Sequence, residues 1–104
     1  MDERKMVSWF VGVRPRGRPD VDARRTEFLW FADDPLAVIV IFSDHKQWTF
    51  ARDLIAEGQW VPTGDGDVRV APMHGTLDLY LALHSPDGFA ELSLDGVAVG
   101  RVPR

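Results

Sequence analysis

The chain has 104 residues, is 45% apolar and 27% charged, and contains no cysteine. Its formal net charge of −4 is uneven: residues 1–26 carry seven basic and four acidic groups (+3), and the rest carries five basic and twelve acidic groups (−7). These numbers describe one domain, residues 1–104, with roughly two thirds of its unfolded surface buried; they exclude a disulfide frame, a thiolate nucleophile and a cysteine-type zinc site, and they disfavour general nucleic-acid binding.

The charged start, Met1 to Lys5, precedes a fairly apolar stretch from Met6 to Val13. It lacks a small-residue cleavage site and is not read as a signal peptide, so a cytoplasmic protein is expected. No apolar run approaches the roughly 18 residues of a membrane helix. Val7, Trp9, Val11 and Val13 alternate with Ser8 and Gly12, which predicts a strand over 6–13. Pro15, Gly17 and Pro19 break it.

Arg14-Pro15-Arg16-Gly17-Arg18-Pro19 is the sharpest local motif and opens a basic loop over 14–25 that also holds Arg24 and Arg25. Pro-Arg-Gly-Arg-Pro resembles the core of an AT-hook. There, glycine lets the backbone lie deep in a narrow minor groove while arginines run along its floor. The competing reading is a solvated hairpin loop. On the first reading Arg14, Arg16, Arg18, Arg24 and Arg25 contact nucleic acid.

Thr26, Phe28 and Trp30 fall on one face of a second strand, with Leu29 and Phe31 on the other. Asp33-Asp34-Pro35 marks a turn. Leu36 to Phe42 is a continuous apolar run, which predicts a strand buried on both faces and central in its sheet. Ser43 to Lys46 turns the chain, and Gln47 to Phe50 forms another strand. Residues 50–57 have helical spacing, with Thr49 as the N-terminal cap and Gly58 closing the end. At about two turns this helix needs packing to persist. Arg52, Asp53 and Glu57 form its solvated face.

Trp60 to Asp67 reads as a loop. In it Trp60 either anchors an interface or lids the short helix. Val68 and Val70 mark a strand in which Arg69 faces solvent or a partner. Leu77, Leu79, Leu81 and Leu83 alternate with Asp78, Tyr80 and Ala82, the cleanest period-two signal in the chain. Ser85-Pro86-Asp87-Gly88 is a turn. Phe89 to Leu94 and Val97 to Val102 flank Asp95-Gly96, which predicts a two-residue hairpin. The fold class is α+β and mostly antiparallel β, with seven or eight strands and one short helix. Trp9, Phe28, Trp30, Phe42 and Phe50 are expected in the core.

Catalytic and metal signals are weak. His84, Ser85 and Asp87 hold the residue types of a hydrolase triad but sit nearly adjacent in a strand end and turn, where side chains point apart. His45, His74 and His84 lack metal-ligand spacing. Asp65 and Asp67 in Gly64-Asp65-Gly66-Asp67 lack the rest of a calcium loop. The chain is therefore read as no enzyme, with no cofactor and no small-molecule substrate.

Four ordered motifs carry a family resemblance over 27–92. Phe28-Leu29-Trp30-Phe31 followed by Asp34-Pro35-Leu36-Ala37-Val38 resembles the aromatic strand and Asp-Pro-Tyr-Ala-Val signature of the SsgA-like proteins of actinobacteria, with Leu36 in the place of tyrosine. Trp48 to Gly58 is similar to the family's strand-into-helix segment. Pro62 to Val70, with Pro72, resembles its glycine loop and following strand. Leu83, Ser85-Pro86-Asp87-Gly88 and Ala90 resemble its late turn.

The resemblance implies a non-enzymatic, Whirly-like, β-rich protein of sporulation-linked cell division. It implies homo-oligomers, contacts with family paralogues and with the division machinery that positions FtsZ, and recruitment to septa. Trp60, Asp65, Asp67 and Arg69 are the expected protein-contact residues. Family members continue past the late turn into C-terminal helices, whereas this chain stops at Arg104. That departure, with the basic 14–25 stretch, leads to the expectation of a reduced form, of the kind a phage or mobile element carries, that modulates host division. The alternative is a nucleic-acid-binding protein that uses the basic loop on a Whirly-like sheet.

Overall fold

The computed structural model describes residues 5–103; the charged start read above, at residues 1–4, and Arg104 lie outside them. Eight antiparallel strands form a single sheet: β1 (Met6–Pro15), β2 (Arg24–Phe31), β3 (Asp34–Ile41), β4 (Gln47–Ala51), β5 (Thr63–Asp65), β6 (Val68–Pro72), β7 (Leu79–Ser85) and β8 (Gly88–Leu94). Two short helices complete the described chain, α1 (Arg52–Gly58) after β4 and α2 (Gly96–Val99) after β8.

The strand order is β4-β3-β2-β1-β8-β7-β6-β5, so two four-stranded meanders meet at β1 and β8. Their junction is a short ladder, Val13↔Leu94, Arg14↔Ser93 and Pro15↔Leu92. It is extended by Arg16 donating its N–H to the Glu91 carbonyl at 3.0 Å and Asp95 donating to the Gly12 carbonyl at 3.0 Å. One face of the sheet carries the core. Trp9, Val11, Val13, Phe28, Val38, Val40 and Phe50 come from the first meander, and Val68, Val70, Leu79, Leu81, Leu83 and Leu94 from the second. Burying both sets in one cluster requires the sheet to curl. α1 packs against β3 and β4 as well as β5 and β6, so it bridges the sheet's two outer strands. Its Leu54 and Ile55 supply the apolar surface there.

Strand alternation predicts most inward residues correctly. Trp9, Phe28 and Phe50 are buried, and Trp30 and Phe42 pack partly buried against the core. Several expectations are corrected. The Leu36–Phe42 run is buried on one face only: Val38 and Val40 are buried, while Ile39 and Ile41 are half-buried on the outer face. Its strand is second from the sheet edge rather than central. The turn before it is Ala32-Asp33, with Asp34 and Pro35 already in β3.

The helix starts at Arg52, because β4 continues through Ala51. Ala51 occupies the cap position with no side-chain hydrogen bond, and Thr49 stays in the strand. Gly58 is the last helical residue rather than a left-handed cap; a Cβ there would approach Val70 Cγ1 within 2.3 Å, so glycine is required by close packing of α1 on β6. The expected Trp60–Asp67 loop contains strand β5, whose ladder Thr63↔Val70, Gly64↔Arg69 and Asp65↔Val68 closes around Gly66 at φ +59°.

Leu77 lies outside β7. Met73 donates its N–H to the Asp78 carbonyl at 3.1 Å, and Asp78 donates its N–H to Thr76 Oγ1 at 3.1 Å. These local bonds hold 73–78 as a turn instead of a ladder.

Finally, Asp95-Gly96 opens a helix and not a hairpin. The Asp95 carboxylate accepts from the Val97 and Ala98 N–H groups at 3.0 and 3.4 Å, an N-cap. Ala98, Val99 and Val102, at helical spacing, are buried.

Candidate functional site

Trp60 extends the last turn of α1, donating its N–H to the Glu57 carbonyl at 3.0 Å. Its side chain is 72% exposed, so it does not lid the helix. Opposite it stand Leu77, from the 73–78 turn, and Val97, from α2, which are 77% and 60% exposed. With Pro72, Leu79 and Gly96 these residues line a notch of about 200 Å³. The notch is held by backbone. Gly96 lies so close to Leu77 that an added Cβ would fall within 1.9 Å of the Leu77 carbonyl oxygen, which locks α2 against the turn. Three large apolar side chains gathered around one concavity, each more than half exposed, are the signature of a contact surface rather than of scattered surface residues.

Sequence reasoning found Trp60 but missed Leu77 and Val97. Alternation places Leu77 in a strand, and the hairpin signal at Asp95-Gly96 places Val97 in another. The usable signals were Thr76 two residues before Asp78, a side-chain turn, and Asp95 ahead of residues at helical spacing, an N-cap.

The other predicted contact residues lie elsewhere. Thr63 pairs with Val70 and Asp65 with Val68, so Asp65 and Asp67 sit at the turn end of the β5–β6 hairpin while Trp60 precedes its opposite end. Arg69 is exposed on the outer face between buried Val68 and Val70, as alternation predicts. The structure therefore does not gather Trp60 with Asp65, Asp67 and Arg69.

The basic loop has a different organisation from a minor-groove arm. Arg18 donates its backbone N–H to the Pro15 carbonyl at 3.3 Å, with Gly17 at φ +75° between them, a tight turn of the kind glycine permits. Arg18 forms a double hydrogen bond with the Asp20 carboxylate at 3.1 and 2.9 Å, which lowers the Asp20 carboxyl below its usual range. Arg16 pairs with Glu91 at 3.0 Å and lies over the Tyr80 ring at 5.0 Å. Arg14 donates to the Pro19 carbonyl at 3.4 Å. Arg24 and Arg25 belong to β2, where Arg25 covers the Phe10 ring at 4.8 Å. The loop thus closes on itself, and its two central arginines each face a carboxylate.

A larger cleft of about 940 Å³ opens where the two meanders diverge. Val13, Phe42, Trp48, Leu83 and Leu92 line its apolar wall, with charged residues such as Arg24, Lys46, Asp44 and Asp87 also lining it. His84 stands at the end of β7 against the Phe89 ring, with centroids 4.4 Å apart. Ser85 Oγ accepts from the Asp87 N–H at 3.2 Å, so these two build the β7–β8 turn. His45 occupies a left-handed position, φ 68°, in the β3–β4 turn.

This arrangement defines a curled antiparallel sheet protein whose most concentrated exposed chemistry is apolar contact. Comparison with known proteins places it further. Residues 25–101 match the model of the family described as Streptomyces sporulation and cell division protein, SsgA, and the chain belongs to that family.

It is 44% identical over 80 residues to the sporulation-specific cell division protein SsgB of Kineococcus radiotolerans, an alignment over 70% of this chain and 48% of that relative. It is 49% identical over 65 residues to SsgB of Streptomyces coelicolor, over 57% and 47% of the two chains. The chain spans about half the length of the curated relatives it matches.

Among solved structures, one comes from work relating mutations in SsgB to longitudinal cell division during sporulation of Streptomyces coelicolor. It superposes with a TM-score of 0.83 at 34% identity, over 96% of this chain and 82% of that one. The SsgA-like sporulation-specific cell division protein of Thermobifida fusca superposes with a TM-score of 0.70 at 29% identity, over 89% and 74%.

Proposed function

We infer that this chain is a non-enzymatic contact protein of sporulation-linked cell division, acting at septa by binding proteins of the division machinery. The family membership supports the process, since the matched relatives carry sporulation-specific cell division names. The observation that carries the mechanism is the notch in which Trp60, Leu77 and Val97 stand exposed around one concavity. An exposed tryptophan beside aliphatic neighbours is the composition of an interface hot spot. Among the described residues no helix is long and apolar enough to cross a membrane.

The test is expression in a sporulating actinobacterial host with septa counted and mapped by fluorescence microscopy. The intact chain shifts septum number or position, and Trp60→Ala combined with Leu77→Ser removes the shift while circular dichroism stays unchanged. Septation that is the same with and without the intact chain sinks the reading.

A further inference from the structure

Among the described residues three aromatic side chains are more than half exposed: Phe10, Phe89 and Trp60. The chain itself partners two of them. The Arg25 guanidinium lies over the Phe10 ring at 4.8 Å, and the His84 ring meets Phe89 at 4.4 Å. Half-buried Tyr80 likewise carries Arg16 at 5.0 Å. Trp60 is the most exposed of the three, and among the described residues neither a ring nor a cation stacks on it. An indole face is the best aromatic surface for a cation. Here that face is left open beside the notch.

The charge at the notch is negative. Asp78 is the one charged residue among those that line it. The Asp95 carboxylate adjoins it, 3.0 Å from the Val97 nitrogen. Glu57 stands three residues before Trp60 on the extended turn of α1, a spacing that makes the two neighbours on its surface. Among the described residues none of these three carboxylates forms an ion pair. Asp78 meets a hydroxyl instead, Ser93 Oγ at 3.4 Å. No described basic residue lines the notch; Arg69, His74 and Arg101 are the nearest in sequence.

The backbone around the notch is already bonded within the chain. Trp60 and Val61 donate to the Glu57 carbonyl at 3.0 and 3.1 Å, Met73 to the Asp78 carbonyl at 3.1 Å, and Val97 to the Asp95 carboxylate at 3.0 Å. An extended partner strand finds no row of free groups there, so side chains must carry recognition, as when a helix lies in a groove. At about 200 Å³ the notch is smaller than the roughly 300–1,000 Å³ of sites that enclose a small molecule. It takes side chains, not a whole ligand.

We propose that the notch binds a cationic amphipathic helix of a partner protein. A large apolar side chain enters between Leu77 and Val97. Lysine or arginine on the adjoining turns covers the Trp60 ring and faces Asp78 and Glu57. The inference rests on reading the notch as a contact surface, and adds the chemistry of what it contacts.

The test uses the full chain, labelled with nitrogen-15, and two synthetic helical peptides. Both carry the same leucine face; one has lysines flanking it and the other glutamates. The lysine peptide shifts the Trp60 indole and the Leu77 and Val97 amide resonances and saturates. The glutamate peptide binds at least about tenfold more weakly, the sum expected of one cation–π contact and one exposed ion pair. Trp60→Ala, folded by circular dichroism, loses the lysine peptide. Asp78→Asn keeps an oxygen for the Ser93 hydroxyl and narrows the gap between the peptides. Equal affinity for the two peptides, no saturable shift at the notch, or lysine-peptide binding that folded Trp60→Ala retains overturns the proposal. Septation that the intact chain leaves unchanged, with the lysine peptide still held at the notch, removes the division role and leaves this assignment standing.

Discussion

Tyr80 donates its hydroxyl to the Glu91 carboxylate at 2.6 Å, joining the outer faces of β7 and β8, and Arg16 reaches the same carboxylate oxygen at 3.0 Å. The basic loop is thereby tied to the second meander at the point where the meanders meet. The hydroxyl's hydrogen bond, with smaller help from Arg16, lowers the Glu91 carboxyl below its ordinary value; the same bond, together with desolvation and the carboxylate charge, raises the Tyr80 hydroxyl above 10.0.

A lowered carboxyl contributes stability that is present above the unfolded-state value of about 4.3 and is lost as pH falls through the folded-state value. A raised phenol contributes stability that is present below its unfolded value of about 10 and is lost as pH rises through the folded one. Thermal melts followed by circular dichroism are expected to show both losses in the wild type. Tyr80→Phe removes the shared bond, so its melting temperature varies less with pH at both ends. Equal pH dependence in the two proteins would show that the pair does not form in solution.

Asp95 and Gly96 test the α2 assignment against the hairpin that the sequence favours. As an N-cap, Asp95→Ala costs about 1 kcal/mol of unfolding free energy. Gly96→Ala forces a methyl group against the Leu77 carbonyl oxygen and costs about 1–3 kcal/mol. Urea unfolding measures both. In a two-residue hairpin turn of the mirror type, alanine at Gly96 is strained by its positive φ, yet Asp95→Ala has no cap to lose; a neutral Asp95→Ala therefore contradicts the helix.

β3 shows what the sequence makes legible and what it does not. Period-two alternation locates the inward residues of β1 and β7, because polar and apolar positions differ there. In Leu36–Phe42 every residue is apolar, so the pattern carries no information on facing, and only the ladder with β2 and β4 sets Val38 and Val40 inward.

Dipeptide rules mislead at Asp95-Gly96 for a related reason. The pair serves a turn or a helix start equally well, and the choice falls to tertiary packing of Val99 and Val102. β5 is illegible because Gly64 and Asp65 have poor strand propensity; its partner β6 decides it. For the site, Trp60 stands out as a large residue in a polar, glycine-bearing stretch, but Leu77 and Val97 are recognisable only once the 73–78 turn and α2 bring them beside it.

That reading of β3 gives a direct contrast. Phe28→Ala, at a fully buried position, costs about 3–5 kcal/mol. Ile41→Thr, on the outer face of β3, keeps a β-branched side chain in a strand and costs well under about 1 kcal/mol. Urea unfolding of the two variants reports the difference. Equal costs would show that the outer face of β3 is covered in solution.

The arginine loop yields a prediction about nucleic acid. A minor-groove arm needs free guanidinium groups on an extended backbone, but Arg16 and Arg18 face Glu91 and Asp20, and the Pro15–Arg18 turn is closed. Fluorescence anisotropy with an AT-rich duplex is expected to show weak binding, unaffected by Arg16→Ala with Arg18→Ala. A log–log salt slope that falls by about two in the double variant would show that both arginines reach phosphates or the groove floor, and would restore the nucleic-acid reading.

On the proposed reading, the notch is a place where loss of function parts from loss of stability. Trp60 is exposed, and its backbone bond to Glu57 survives side-chain truncation, so Trp60→Ala stays within about 0.5 kcal/mol of the wild type. Leu77→Ser behaves likewise, because its carbonyl and not its side chain meets Gly96. Interface tryptophans in such settings contribute about 2 kcal/mol or more to binding. Any division protein that binds this chain through the notch therefore loses at least about thirtyfold in affinity to Trp60→Ala while the melting temperature holds, since each 1.4 kcal/mol is tenfold. Isothermal titration calorimetry alongside thermal melts makes the comparison. A variant that melts early and binds weakly would instead mark Trp60 as part of the fold.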